Sequence, residues 1–378
     1  MDYLRRTWAE IDLAALLHNF HVLKQDAKDA NVMAVVKADA YGHSAELVAP
    51  LLQKNGADAF AVSNLEEAAS LRRCGIEKPI LILGYTPTVC AKLIAELDCI
   101  QALFSSEYAT ELSAEAVKAG VRLSVHVKLD TGMSRIGFDC RNESLAGVPA
   151  AIKAASLPGF SADGVFTHFA VADRNEEEED GFTSEQYTRF CRAVEALKAA
   201  GLPVHVFHCC NSAATCLDPD KHLSLCRPGI LLYGLSPSNS LDLHKDFRPV
   251  MTLKSVISMV KTIRAGETVS YGRSFIAPHD MRIATVSAGY ADGYPRALSN
   301  QGEVLIHHQK APIIGRICMD QFSVDVSKIE QAQQGDEVIL FGNDLPVGAL
   351  ADLCGTIHYE LVCGISPRVP RVPVGLER

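Results

Sequence analysis

The sequence predicts an α/β protein in two parts, a (β/α)8 barrel of the TIM type followed by a mostly-β C-terminal domain. Two observations carry this. Eight short apolar runs recur between residues 32 and 232, and most of the gaps between them have helical periodicity, the pattern of parallel strands joined by helices. After a Ser/Pro-rich stretch at 235–240 the text changes to short strand-like segments punctuated by Gly and Pro. An open doubly wound sheet is the runner-up, but no GxGxxG follows the first strand.

Taken in order, Thr7 to Leu13 reads as a short strand running into a helix capped by Asp12, with Leu13, Leu16, Leu17, Phe20 and Leu23 on one face. Barrel strands are expected at 32–36, 59–62, 80–83, 102–104, 123–127, 164–167, 204–207 and 230–232. Asn64 with Glu67 forms a capping box for a helix ended by Gly75. Thr183 with Gln186 opens another, showing Tyr187, Phe190, Val194 and Leu197 and stopping at Gly201. Strands of the second domain are expected at 251–260, 282–287, 303–306, 311–314, 322–326 and 337–340, with a helix at Val347–Cys354. This places the barrel at 12–240 and the β domain at 1–11 and 241–378.

A chain of 378 residues can hold one large domain and one smaller one. With 48% hydrophobic and 21% charged residues it is an ordinary globular protein by composition. A net charge of −9 without a basic block argues against nucleic acid or anionic membrane as partners. The twelve cysteines include no CxxC pair, and the adjacent Cys209-Cys210 has no zinc spacing. The chain starts without an apolar leader-like run and holds no stretch of membrane-span length, so reduced cysteines and a cytoplasmic location are expected. The acidic run 176–180 brings no His or Cys with it and reads as a solvated loop rather than a metal site.

In a barrel of this kind, the strand ends facing the active site can be enumerated from the sequence. They carry Lys37, Lys128 and Asp130, His168, and His208 to Ser212, and Arg227-Pro228-Gly229 leads into the last run. Each has a plain alternative. Lys37 could reach the surface and pair with Asp39, His168 could be a core histidine, and Asn211-Ser212 could cap the next helix. Together on one rim they suggest a buried lysine whose lowered pKa makes it an amine nucleophile. Beside it, a glycine and free N–H groups at a helix start would suit a phosphate. A lysine nucleophile, a phosphate cradle and no metal ligands point to pyridoxal phosphate.

The chain resembles the alanine racemase family along essentially its whole length. The matching segments are 7–13, 35–43 (Val-Val-Lys-Ala-Asp-Ala-Tyr-Gly-His), 128–137 (Lys-Leu-Asp-Thr-Gly-Met-Ser-Arg-Ile-Gly), 167–169, 211–213 and 227–230. In the second domain they are 269–273 (Val-Ser-Tyr-Gly-Arg), 289–293 (Gly-Tyr-Ala-Asp-Gly), 315–320 (Gly-Arg-Ile-Cys-Met-Asp), Tyr359-Glu360 and 367–371. Pro373, where an aromatic is often found, is a departure that touches the entrance rather than the chemistry.

That resemblance implies a homodimeric isomerase that uses pyridoxal phosphate to interconvert L- and D-alanine, supplying D-alanine for peptidoglycan. By the family pattern Lys37 holds the cofactor as an imine and is the base on the D-side of the substrate. Tyr271 matches the L-side base, contributed by the β domain of a partner subunit, since one lysine reaches only one face of a planar carbanion. Arg227 matches the arginine on the pyridine nitrogen, Arg135 the arginine that binds the substrate carboxylate, and Lys128 the often carbamylated lysine beside it. Tyr41, Ser212, Gly229, Ile230 and Tyr359 match the phosphate ligands. His168 and Asn211 line the ring, and Met319 and Asp320 reach the substrate from the partner. No metal is expected. Three rivals stand beside this reading: a serine or broad-specificity racemase, a barrel-type decarboxylase, and a pyridoxal-phosphate carrier, which would have no use for the β domain with Tyr271.

Overall fold

The computed structural model describes residues 6–174, 181–238 and 246–376, so the acidic run 176–180 and the end of the Ser/Pro-rich stretch lie outside the described residues, as does the start of the 1–11 segment. In the first part, the strands Leu225–Cys226, Asn31–Val35, Ala59–Val62, Ile80–Ile82, Cys99–Leu103, Leu123–Asp130, Phe160–Phe166 and Val206–His208 pair in that order, every pair parallel. The ends meet where the Ser224 N–H donates to Phe207 O (3.1 Å) and the Arg227 N–H to Cys210 O (3.1 Å), closing the barrel. Ala59–Val62 and Ile80–Ile82 are buried throughout, as strands covered on both faces must be.

Among the described residues the barrel has eight strands, but the last is Leu225–Cys226 rather than 230–232. Residues Ile230–Tyr233 form a 3-10 turn, with Leu232 N–H bonded to Gly229 O at 2.9 Å. Pro228 has no N–H to continue a ladder, and the chain leaves the barrel there. The apolar character of 230–232 serves burial instead, because the turn packs beneath the helix Leu13–Ala27. A second correction concerns the helix after the acidic run. It spans Phe182–Ala199 behind Gly181 (φ +73°), and Thr183 lies inside it rather than capping it. Gln186 is buried; its side chain accepts from Ala170 N–H (2.9 Å) and donates to His168 O (3.2 Å). The expected caps elsewhere form: Asp12 accepts from Ala15 N–H (2.9 Å) and Asn64 from Glu67 N–H (2.9 Å).

In the second part, strands Met281–Val286, Phe322–Asp325, Gln309–Ile314, Glu303–Ile306, Glu337–Phe341, Met251–Ile263, Thr7–Asp12 and Arg371–Val374 follow one another across a sheet. All of its pairs are antiparallel except the last, and Met251–Ile263 also pairs with Met281–Val286. Both chain ends thus serve this domain: Thr7–Asp12 pairs with Met251–Ile263 and Arg371–Val374 runs parallel beside it. The two parts share one continuous apolar core.

Asn19 stitches the parts together. Fully buried in the first helix, it donates to Leu232 O (3.1 Å) and Arg248 O (2.8 Å) and accepts from Arg248 N–H (2.8 Å). Asn19→Leu leaves these backbone groups buried and unpaired, so chemical denaturation should show a loss of about 3 kcal/mol.

Candidate active site

At the C-terminal end of the barrel strands a cleft of about 480 Å³ opens, lined by Lys37, Tyr41, Lys128, Arg135, His168, Asn211, Ser212, Arg227, Gly229, Ile230 and Tyr359. Most of the strand-end residues expected from the sequence are in it, with Tyr359 brought from the second domain, but Asp130, His208, Cys209 and Cys210 do not line it. Leu83, Gly84, Tyr85, Phe166 and Asp173 also line it; nothing in their sequence context marks them.

Lys37 follows the Asn31–Val35 strand after Val36, and the four residues after it adopt a backbone that the sequence conceals. Ala38, Asp39, Ala40 and Tyr41 all have φ between +51° and +55°, one turn of left-handed helix. Such a conformation costs roughly 1–2 kcal/mol per residue for L-amino acids, so the surroundings must impose it. The Glu67 carboxylate, expected to close its own capping box, instead accepts from Ala38 N–H (2.8 Å) and Ser63 N–H (2.7 Å). Asp39, the ion-pair partner that a surface lysine would want, accepts from Ala45 N–H (2.7 Å). From the β domain, Arg371 donates to Gly42 O (2.9 Å), and a Cβ on Gly42 would lie 2.1 Å from Val362 O. The turn places the Lys37 amine and the Tyr41 hydroxyl on the same cleft.

Lys37 makes no ion pair among the described residues, and burial followed by the nearby Arg135 charge lowers its pKa from the usual lysine value. Lys128 is fully buried, with burial, Arg227 and Arg135 all holding its pKa well below that value, and its Nζ has no hydrogen-bond partner among the described residues. It lies over the Phe166 ring at 5.0 Å. Burial, followed by the charge of Arg227, also holds the His168 pKa well below the usual imidazole value.

Arg227 is 4% exposed and, among the described residues, is held without any carboxylate. It donates to Thr167 O (2.7 Å), Cys209 O (3.1 Å) and His208 Nδ1 (2.8 Å), and lies 3.4 Å from His168 Nδ1. His208 stands at a strand end visible in the sequence, yet only this contact shows its use. At the other end of the cleft the Gly229 N–H donates to Ser212 Oγ (2.8 Å), and a Cβ on Gly229 would fall 2.6 Å from Tyr41 Oη. Only glycine leaves that cradle open. Asn211 caps the Ser212–Leu217 helix, accepting from Ala214 N–H at 3.1 Å, so its plain reading also holds.

Tyr271 and Met319 are elsewhere. They are 71% and 54% exposed and line a shallow hollow on the β domain with Ser270, Cys318, Asp320 and Gln321. Arg368 anchors this region by bridging Asp320 (2.7 Å) and the buried Asp292 (2.7 Å). All twelve cysteines are free thiols, and among the described residues there is no cluster of three or more His, Cys, Asp or Glu that could hold a metal. No described helix is long and apolar enough to cross a membrane.

Comparison with known proteins agrees over the full length. The family model for the alanine racemase N-terminal domain matches residues 11–237, and that for the alanine racemase C-terminal domain matches 250–373. An alanine racemase of Desulfovibrio desulfuricans is 45% identical, over 99% of this chain and 100% of its own. One from Clostridium tetani is 43% identical, over 98% and 96%. Among solved structures, alanine racemase of Clostridium difficile superposes with a TM-score of 0.92 at 39% identity, covering 99% of this chain and 97% of that one. The Bacillus anthracis enzyme with bound L-Ala-P gives 0.91 at 34%, covering 100% and 97%.

The lowered pKa of Lys37 has a direct chemical consequence. Near pH 8, an amine-selective acylating reagent should modify Lys37 faster than the exposed Lys54, as read by peptide mass spectrometry. Arg135→Gln removes a charge that lowers that pKa, so the neutral fraction should fall and the rate drop by roughly twofold or more.

Proposed function

The chain belongs to the alanine racemase family, and from that premise we propose that it interconverts L- and D-alanine with pyridoxal phosphate, using Lys37 and Tyr271 as its two bases. The observation that carries the reading is the pairing in one cleft of a lysine biased toward the neutral amine with an arginine that, among the described residues, is held by neutral acceptors alone. An arginine fixed by carbonyls and an imidazole keeps its charge available to another acceptor, and it cannot give up its proton.

Pyridoxal phosphate suits this donor set. Lys37 would carry it, Arg227 would face its ring nitrogen, and His168 and Asn211 would flank the ring. Its phosphate would rest on Tyr41, Ser212, Gly229, Ile230 and Tyr359, where the missing Cβ of Gly229 leaves room. When bound, the cofactor supplies the electron sink that acidifies the α-hydrogen of an attached amino acid. Arg227 opposes protonation of the ring nitrogen and so tempers that sink. Arg135, an exposed arginine at the cleft, would bind the substrate carboxylate in bidentate fashion. The unpartnered Lys128 amine is the group on which a carbamate would form, and the resulting anion would steady Arg135.

Racemisation needs proton transfer on both faces of the α-carbon. Lys37 serves the D-side. Tyr271 lines another hollow of the same chain, a placement that supports a second copy delivering its own Tyr271, Met319 and Asp320 into the cleft. A homodimer with shared sites, in the cytoplasm, making D-alanine for peptidoglycan, completes the proposal.

Borohydride reduction of the loaded protein should fix the cofactor to Lys37, identified by peptide mass. In deuterated water, L-alanine should become D-alanine carrying deuterium at the α-carbon. Tyr271→Phe should slow exchange from L-alanine by at least about 100-fold, the ordinary weight of a general base, while exchange from D-alanine falls much less. Bound cofactor with neither exchange nor D-alanine, for serine as well as alanine, would leave a carrier. Sedimentation equilibrium should give twice the 40.9 kDa chain mass; a monomer that nonetheless racemises would refute the shared site.

A further inference from the structure

Behind Arg227 a line of polar side chains runs through the barrel interior, where apolar packing is otherwise the rule. Arg227 Nη1 lies 2.8 Å from His208 Nδ1, His208 Nε2 lies 2.9 Å from His126 Nδ1, and His126 Nε2 lies 3.4 Å from Asp163 Oδ1. The two imidazoles are 0% and 2% exposed. Space has been made for them. A Cβ on Gly164 would sit 2.3 Å from His126 Cδ2, and the pairing of Leu123–Asp130 with Phe160–Phe166 shifts register between Val125 and His126. Phe166 stacks in parallel on His208, with centroids 4.9 Å apart. Asp163 is partly exposed, and its Oδ1, itself buried, has no hydrogen-bond partner beyond the approach of His126.

The proton positions along this line are set from its two ends together, Arg227 as a donor and the Asp163 carboxylate as an acceptor. Guanidinium N–H groups only donate, so His208 Nδ1 must present a lone pair. Neutral His208 then carries its proton on Nε2 and donates it to His126 Nδ1. His126 in turn carries its proton on Nε2, toward the Asp163 carboxylate. With Asp163 anionic, every contact has one donor and one acceptor; the reverse order would set an N–H of His208 against an N–H of Arg227.

We infer that His126 and Asp163 are positioning residues for the reaction: through His208 they fix the acceptor that aims Arg227 at the cofactor ring. The inference rests on the reading of Arg227 given above. A His208 free to change tautomer would release one anchor of the guanidinium and weaken its hold against protonation of the ring nitrogen. The reaction opened by a stronger electron sink is amino transfer. In it, alanine and the cofactor aldehyde become pyruvate and the cofactor amine; the α-carbon is oxidised by two electrons and the aldehyde carbon reduced by two.

The test uses the full chain labelled with 15N-histidine, first without cofactor and then loaded. In the cofactor-free protein, long-range proton–nitrogen spectra should show His208 and His126 each protonated on Nε2 alone. Asp163→Asn offers an amide that can donate as well as accept, so His208 should lose its single tautomer. Pyruvate formed per D-alanine should rise at least threefold in the loaded variant. Asp163→Glu should restore both readouts. A residue that merely fills space would move neither. Mixed tautomers in the parent protein, or an unchanged His208 in Asp163→Asn, overturn the inference; so does an altered tautomer with an unchanged pyruvate ratio. The spectra need no turnover. Failure of the racemase reading would show separately, as absence of deuterium exchange in the parent protein.

Discussion

The left-handed turn from Ala38 to Tyr41 is the constraint on which the two halves of the molecule converge. It costs several kcal/mol in backbone strain, and contacts from three places offset it. Glu67 comes from the helix after the second barrel strand, Asp39 from the turn itself, and Arg371 with Val362 from the β domain. Its product is local: an amine and a phenol four residues apart, turned to one cleft. A right-handed continuation would aim their side chains differently. The β domain therefore does more than present a distant tyrosine, because its end of the chain holds the lysine loop in place.

Electrostatics follows from the same arrangement. The protein carries a net charge of −9, yet its cleft is lined by Lys37, Lys128, Arg135 and Arg227, with Asp173 as the one carboxylate among the described lining residues. Burial first, and then the arginine charges beside them, lower the pKa of the two lysines and of His168. The arginines stay charged. An anion arriving there is relieved of competition from protein carboxylates, which suits a ligand bearing a phosphate and a second bearing a carboxylate. Among the described residues Arg227 has neutral acceptors, and the imidazole among them needs partners of its own deep in the barrel.

Particular residues show how legible this was. Lys37, Lys128 and His168 are readable as cleft residues because each follows an apolar run at a barrel strand end, where a polar residue needs a reason, and Arg227 because Arg-Pro-Gly leads into one. The eighth strand was misread because burial and strand geometry both favour an apolar run, and 230–232 is buried as a 3-10 turn. Gln186 looked like a capping partner by spacing, but its amide satisfies buried backbone at Ala170 and His168, which no local pattern reports. His126 sat unremarked inside a strand pattern, since its partners are 37 and 82 residues away.

By itself the sequence determined the barrel, the β domain and most of the chemical inventory, because periodicity and residue type are local properties that survive without the fold. Family resemblance added the roles. Tertiary structure alone decided the handedness of the turn after Lys37, the partners of Arg227 and the separation of Tyr271 from the cleft within one chain. The first is imposed by contacts against the intrinsic preference of Ala-Asp-Ala-Tyr; the other two depend on which distant strand ends and loops become neighbours when the sheets close.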